Sequence, residues 1–78
     1  MPQISNILPM TMLEMGQFIT QRREFLHLRQ EDLAEMSGVA IKTIHLVETG
    51  LGNPSIATLN KIITVLGLDL LLQVRKIG

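Results

Sequence analysis

Gly38 stands between two stretches of helical patterning, and no other residue narrows the fold so much. Before it, residues 30–37 place Leu33, Ala34 and Ser37 on an inward side and Glu31 and Asp32 in the first turn. Carboxylates there suit the positive end of a helix. After it, a second stretch from about Ala40 to Thr49 turns Ile44 and Val47 inward and stops at Gly50. A chain that changes direction in so little space needs a positive φ, which glycine adopts without a Cβ penalty. Val39 then plugs the turn. Two short helices with a tight turn between them follow.

The flanking segments supply their support. Thr11 and Glu14 have the spacing of a reciprocal helix cap, so a helix starts there and runs to about Leu26. Met15, Ile19, Arg23 and Leu26 share one stripe of it, with Phe18 beside them. Leu28 and Arg29 form a short connection, and Arg29 stands where a hydroxyl side chain would cap the next helix. Leu51-Gly52-Asn53-Pro54 reads as a loop and Ser55 as the cap of a fourth helix. Ile56, Leu59, Ile62, Ile63 and Leu66 make its apolar stripe, closed by Gly67. The tail changes period: Leu68, Leu70, Leu72 and Val74 alternate with their neighbours, the pattern of a strand. A lone strand leaves unpaired backbone groups and an apolar face, and no other segment reads as its partner. Pairing with the same strand of a second copy is the simplest remedy, which makes those four residues the expected dimer interface.

The expected organisation is an arm over residues 1–10, a helical domain over 11–67 and a dimerisation strand over 68–76. At 78 residues with no cysteine the chain is one small domain without disulfides or thiolate metal sites, as suits a reducing cytoplasm. With two Phe and no Trp or Tyr, the core must be aliphatic. Seven basic residues balance seven acidic ones, whereas a nucleic-acid binder usually carries a positive excess. Distribution matters more than the sum: Arg22, Arg23 and Arg29 cluster early, Lys42 lies mid-chain, and Arg75 and Lys76 come near the end. No stretch has the length and hydropathy of a membrane span, and the N-terminus lacks the pattern of a secretion signal. A cytoplasmic protein is expected.

Residues 30–49 have the spacing of a helix-turn-helix, whose second helix enters the DNA major groove. The pattern Gln30-x-x-Leu33-Ala34-x-x-x-Gly38-Val39-x-x-x-Thr43-Ile44-x-x-x-Glu48-x-Gly50 resembles the Cro-and-repressor-type (XRE) family. Two longer segments, starting at Met15 and at Gly50, look like the HipB-type antitoxins. That resemblance implies a mainly α, lambda-repressor-like domain of four to five helices with a short C-terminal strand paired across a homodimer. It further implies an autoregulatory repressor of an operator in double-stranded DNA, with a HipA-type serine/threonine kinase toxin as partner.

Position by position, the resemblance makes Gln30 the residue that fixes the second helix against the DNA backbone. Arg23 and Glu48 become an ion pair joining the first helix to the end of the third. Thr43 becomes a phosphate contact. Ala40, Ile41, Lys42, His45 and Leu46 fall at or beside the positions that reach base edges. Ala40 cannot cap the third helix, which costs about 1 kcal/mol relative to a good cap. Ile41 and Leu46 cannot hydrogen-bond, so direct readout rests mainly on Lys42, Thr43 and His45. His45 is either a base or phosphate contact or a solvated helix residue, and Asn53 is either a turn residue or a further phosphate contact.

No catalytic grouping, Gly-rich phosphate loop or metal-ligand cluster stands out, so an enzyme, a metal or a cofactor is not expected. Two alternatives remain open: a stand-alone repressor without a toxin, and a protein-interaction module that has lost DNA binding. Zero net charge and the apolar Ile41 and Leu46 motivate the second.

Overall fold

The structure is a computed structural model that describes residues 10–72 and 74. Four helices follow one another: α1 (Met12–Phe25), α2 (Gln30–Ser37), α3 (Ile41–Thr49) and α4 (Ile56–Val65). Their bounds follow from local chemistry. Thr11 Oγ1 accepts from the Glu14 N–H at 3.0 Å, and Glu14 Oε1 accepts from the Thr11 N–H at 2.9 Å. This starts α1 and, through those hydrogen bonds from Thr11, holds the Glu14 carboxyl below its ordinary value. Ser55 Oγ accepts from the Thr58 N–H at 3.1 Å and starts α4. At α2 the cap runs backwards: Arg29 offers no acceptor, but Asp32 Oδ2 accepts from the Arg29 backbone N–H at 2.8 Å. Ala40 begins α3 with no side-chain cap at all.

The helix ends repeat one device. After α4, Gly67 has φ 71°, its N–H donates to Thr64 O, and Leu68 N–H donates to Ile63 O. After α1, His27 has φ 60°, its N–H donates to Glu24 O, and Leu28 N–H donates to Arg23 O. Both are left-handed closures with an apolar residue folded back on the core. One uses glycine; the other forces histidine into a conformation that L side chains disfavour.

The core is wholly aliphatic: Ile19 of α1, Leu33 of α2, Val39 of the turn, Ile44 and Val47 of α3, and Leu59, Ile62, Ile63 and Leu66 at α4. Phe18 and Phe25 remain exposed, Phe25 with the Arg22 guanidinium 5.3 Å from its ring centre. Arg22 also caps α4, its Nε donating to Leu66 O at 2.8 Å.

One expectation changes, one helix bound moves by a residue, and one expected strand is not seen among the described residues. Ile56 does not join the apolar stripe: it is 68% exposed, because among the described residues nothing packs on that side of the first turn of α4. The third helix begins at Ile41, with Ala40 outside it as the cap residue. The strand expected over 68–76 is not formed among the described residues. Leu68 folds onto the core, while Leu70, Leu71, Leu72 and Val74 are exposed and belong to no helix or strand. A strand exists only by pairing, and the described residues supply no partner. Gln73 and residues 75–78 lie outside the described residues, as does the expected arm except for Met10.

Candidate nucleic-acid interface

Helix α3 has two faces. Ile44, Val47 and Glu48 point inward and are almost fully buried. Lys42, His45 and Thr49 are exposed, Ile41 is 47% exposed, and Thr43 and Leu46 are half-buried. The helix is therefore a rod seated by one side, with Lys42 near the start of the other and His45 at its middle. Among the described residues nothing else lies over this outer face, so a duplex groove has access to it.

Two features hold the rod. The first is a close backbone approach at Gly16, a position the motif reading passed over. A Cβ on Gly16 would lie 2.7 Å from the Glu48 carbonyl oxygen and nearer still to that of Val47. Only glycine lets α1 and α3 meet this closely. The available signal was a glycine inside an otherwise helical pattern, which costs helix stability unless packing requires it.

The second is a hydrogen-bonded ion pair. Arg23 Nε donates to Glu48 Oε2 at 2.7 Å and Nη2 donates to Oε1 at 3.0 Å, a two-pronged contact. Arg23 Nη1 also donates to Leu28 O at 2.8 Å, and Gln30 Nε2 donates to Glu48 Oε1 at 3.0 Å. One carboxylate thus ties α1, the α1–α2 turn and the start of α2 to the end of α3. Burial pushes the Glu48 carboxyl upward, but hydrogen bonds from Arg23 and Gln30 outweigh it and hold the group below its ordinary value. Gln30, expected to face the DNA backbone, spends one amide N–H on this cluster, and a primary amide carries a second.

The remaining site residues lie around the N-terminal end of α3 and the loop behind it. Ala40 is exposed at the helix start, which leaves the first backbone N–H groups without a side-chain acceptor. Asn53 is exposed in the loop between α3 and α4, which is pinned by Leu51 and Gly52 N–H groups donating to Leu46 O, each at 3.0 Å. Arg29 is largely occupied: its guanidinium reaches Asp32 Oδ1 at 3.1 Å and Glu31 at 3.9 Å. Lys42 and Lys61 make no ion pair among the described residues, and of the two only Lys42 lies on α3.

The same geometry is that of a known family. Its model, described as helix-turn-helix, matches residues 19–73. The chain belongs to the helix-turn-helix family, of the Cro-and-repressor type. Among solved structures it is similar to the restriction-modification controller protein C.AhdI from Aeromonas hydrophila. That match has a TM-score of 0.71 and 31% identity, covering 74% of this chain and 88% of that one. No curated protein matches the chain significantly. Family and structural likeness agree that this helix-turn-helix protein is a DNA-binding transcription regulator. Among the described residues no helix is long and apolar enough to cross a membrane, and no group of three or more His, Asp or Glu is placed to hold a metal.

Proposed function

We propose that the protein is a homodimeric repressor that binds an operator near its own gene. The observation that carries this reading is the outward face of α3, with exposed Lys42 and His45 on a helix whose opposite side is locked by Glu48 and Gly16. In the proposed complex Lys42 reads base edges with His45 and Leu46 beside it, while Thr43, Asn53 and the second amide N–H of Gln30 contact phosphates. Ala40 leaves the N-terminal backbone of α3 free to approach the duplex.

Dimerisation through Leu70, Leu72 and Val74 supplies the second half, while Leu68, expected with them from the sequence, packs on the core of its own chain. Leu72 and Val74 are each 98% exposed in the single chain, an unfavourable placement that a second copy would relieve. Two subunits then set their α3 helices in successive major grooves about 34–36 Å apart. Sedimentation at micromolar concentration should give twice the chain mass.

Two genetic settings use such a repressor. The resemblance to HipB-type antitoxins supports a HipA-like kinase toxin as partner. The 31% identity to a restriction-modification controller protein supports a place beside restriction and modification genes, and this measured likeness favours the second setting. Co-expression with the neighbouring gene product separates them, since an antitoxin co-purifies with its kinase. A gel shift with DNA upstream of the gene tests the shared claim. Retarded DNA at low salt is expected; no retardation by the dimer would return the chain to the class of interaction modules.

A further inference from the structure

The outer face of α3 begins with apolar side chains. Ala40 and Ile41 are both exposed immediately before exposed Lys42, and no described residue covers them. Ile41 is 47% exposed although the inner face of the same helix is filled by Ile44 and Val47. It therefore contributes little to the core, and on the proposed operator it sits among the first side chains to meet the base edges.

We propose that Ile41, assisted by the Ala40 methyl, reads the C5-methyl group of a thymine in each operator half-site, while Lys42 takes a neighbouring guanine. The inference rests on the operator reading above and names the base that this part of the interface selects. In the major groove each base shows a distinct edge, and among the four only thymine adds a methyl group. Ile41 has no donor or acceptor. Set against a thymine methyl it removes apolar surface from water on both sides. Set against guanine N7 and O6, or the cytosine amino group, it leaves a polar edge desolvated and unpaired. One side chain thus favours thymine and penalises the alternatives. Lys42, with an ammonium beside it, suits the guanine N7 and O6 acceptors.

The test uses the full chain and a duplex enriched by it from a random-sequence pool. Each thymine of a half-site is replaced in turn by deoxyuridine, which keeps base pairing and removes only the methyl group. At one thymine per half-site the replacement should weaken binding about fourfold, and about fifteenfold when made in both half-sites. Exchanging that T·A pair for 5-methylcytosine·G should be tolerated better than exchanging it for cytosine·G, by a similar factor. In Ile41→Ala the deoxyuridine effect should vanish at that thymine and nowhere else. Uniform tolerance of deoxyuridine in the wild-type chain would overturn the assignment, as would an undiminished effect in Ile41→Ala. Either result would leave Ile41 as a contact for another protein. Failure to enrich any duplex would overturn the operator reading itself, and this inference with it.

Discussion

Gly16→Ala sets two physical effects against each other. Alanine is the better helix former by about 0.8–1.0 kcal/mol, and position 16 lies inside α1, so propensity alone predicts a more stable protein. The packing predicts the reverse. The new methyl carbon would lie 2.7 Å from Glu48 O and 2.9 Å from its carbonyl carbon. Ordinary contact lies near about 3.5 Å, so α1 and α3 must part by roughly 1 Å. Backbone atoms cannot rotate away as a side chain can, and the movement also stretches the Arg23–Glu48 contact. Against backbone atoms the cost falls in the upper part of the usual overpacking range, about 2–3 kcal/mol, which leaves a net loss of about 1–2 kcal/mol after the propensity gain. Urea unfolding followed by circular dichroism, at one fixed chain concentration, reads this directly. With a slope of about 1 kcal/mol/M the midpoint should fall by about 1–2 M. Gln17→Ala, one residue along and exposed, should change stability by no more than about 0.5 kcal/mol. A Gly16→Ala midpoint equal to or above wild type, with the slope unchanged, would refute the reasoning.

Three further outcomes are expected. His27→Gly should stabilise the protein by about 1 kcal/mol in the same assay, because it relieves a left-handed histidine at a closure that Gly67 makes without strain. The Glu48 carboxyl is held low in the folded protein, so its contribution is complete above the unfolded glutamate value near about 4.3 and is lost as pH falls through the folded value. The stability gap between wild type and Glu48→Gln should accordingly be widest at neutral pH and narrow on acidification below about pH 4, as a pH series of unfolding curves will show. Lys42→Ala should weaken binding to the enriched duplex by about 1–3 kcal/mol and to random DNA by less, narrowing the specificity ratio measured by fluorescence anisotropy.

How much of this was legible beforehand depended on how local the information was. The ends of α2, α3 and α4 are marked by Gly38, Gly50, Ser55 and Gly67, each of which acts through its own backbone or the next turn. Residue types alone therefore locate them. The buried faces of α2 and α3 were equally readable from Leu33, Ile44 and Val47. Gly16 was not, because its reason lies in carbonyls more than thirty positions away. Gln30 gave no sign that its amide would meet Glu48, eighteen residues on. At His27 nothing in the side chain announces a positive φ; the usable hint was Leu28, which folds back on the core as Leu68 does after Gly67. Ile56 kept the period of its helix yet stays exposed among the described residues. The tail could be read only as far as its alternation, since among the described residues it belongs to no helix or strand. For the interface, the outward set on α3 followed from period and turn, whereas the two locks behind it required the fold.

The claim on which the account depends is that α3 lies in the major groove with Lys42 toward the bases. Dimethyl sulfate footprinting of the enriched duplex addresses it directly, because guanine N7 opens into the major groove and adenine N3 into the minor. Guanine protection is expected in two tracts on one face of the duplex, about 34–36 Å apart, with that protection lost in Lys42→Ala. Protection confined to adenine N3, or guanine protection that survives Lys42→Ala unchanged, would contradict it.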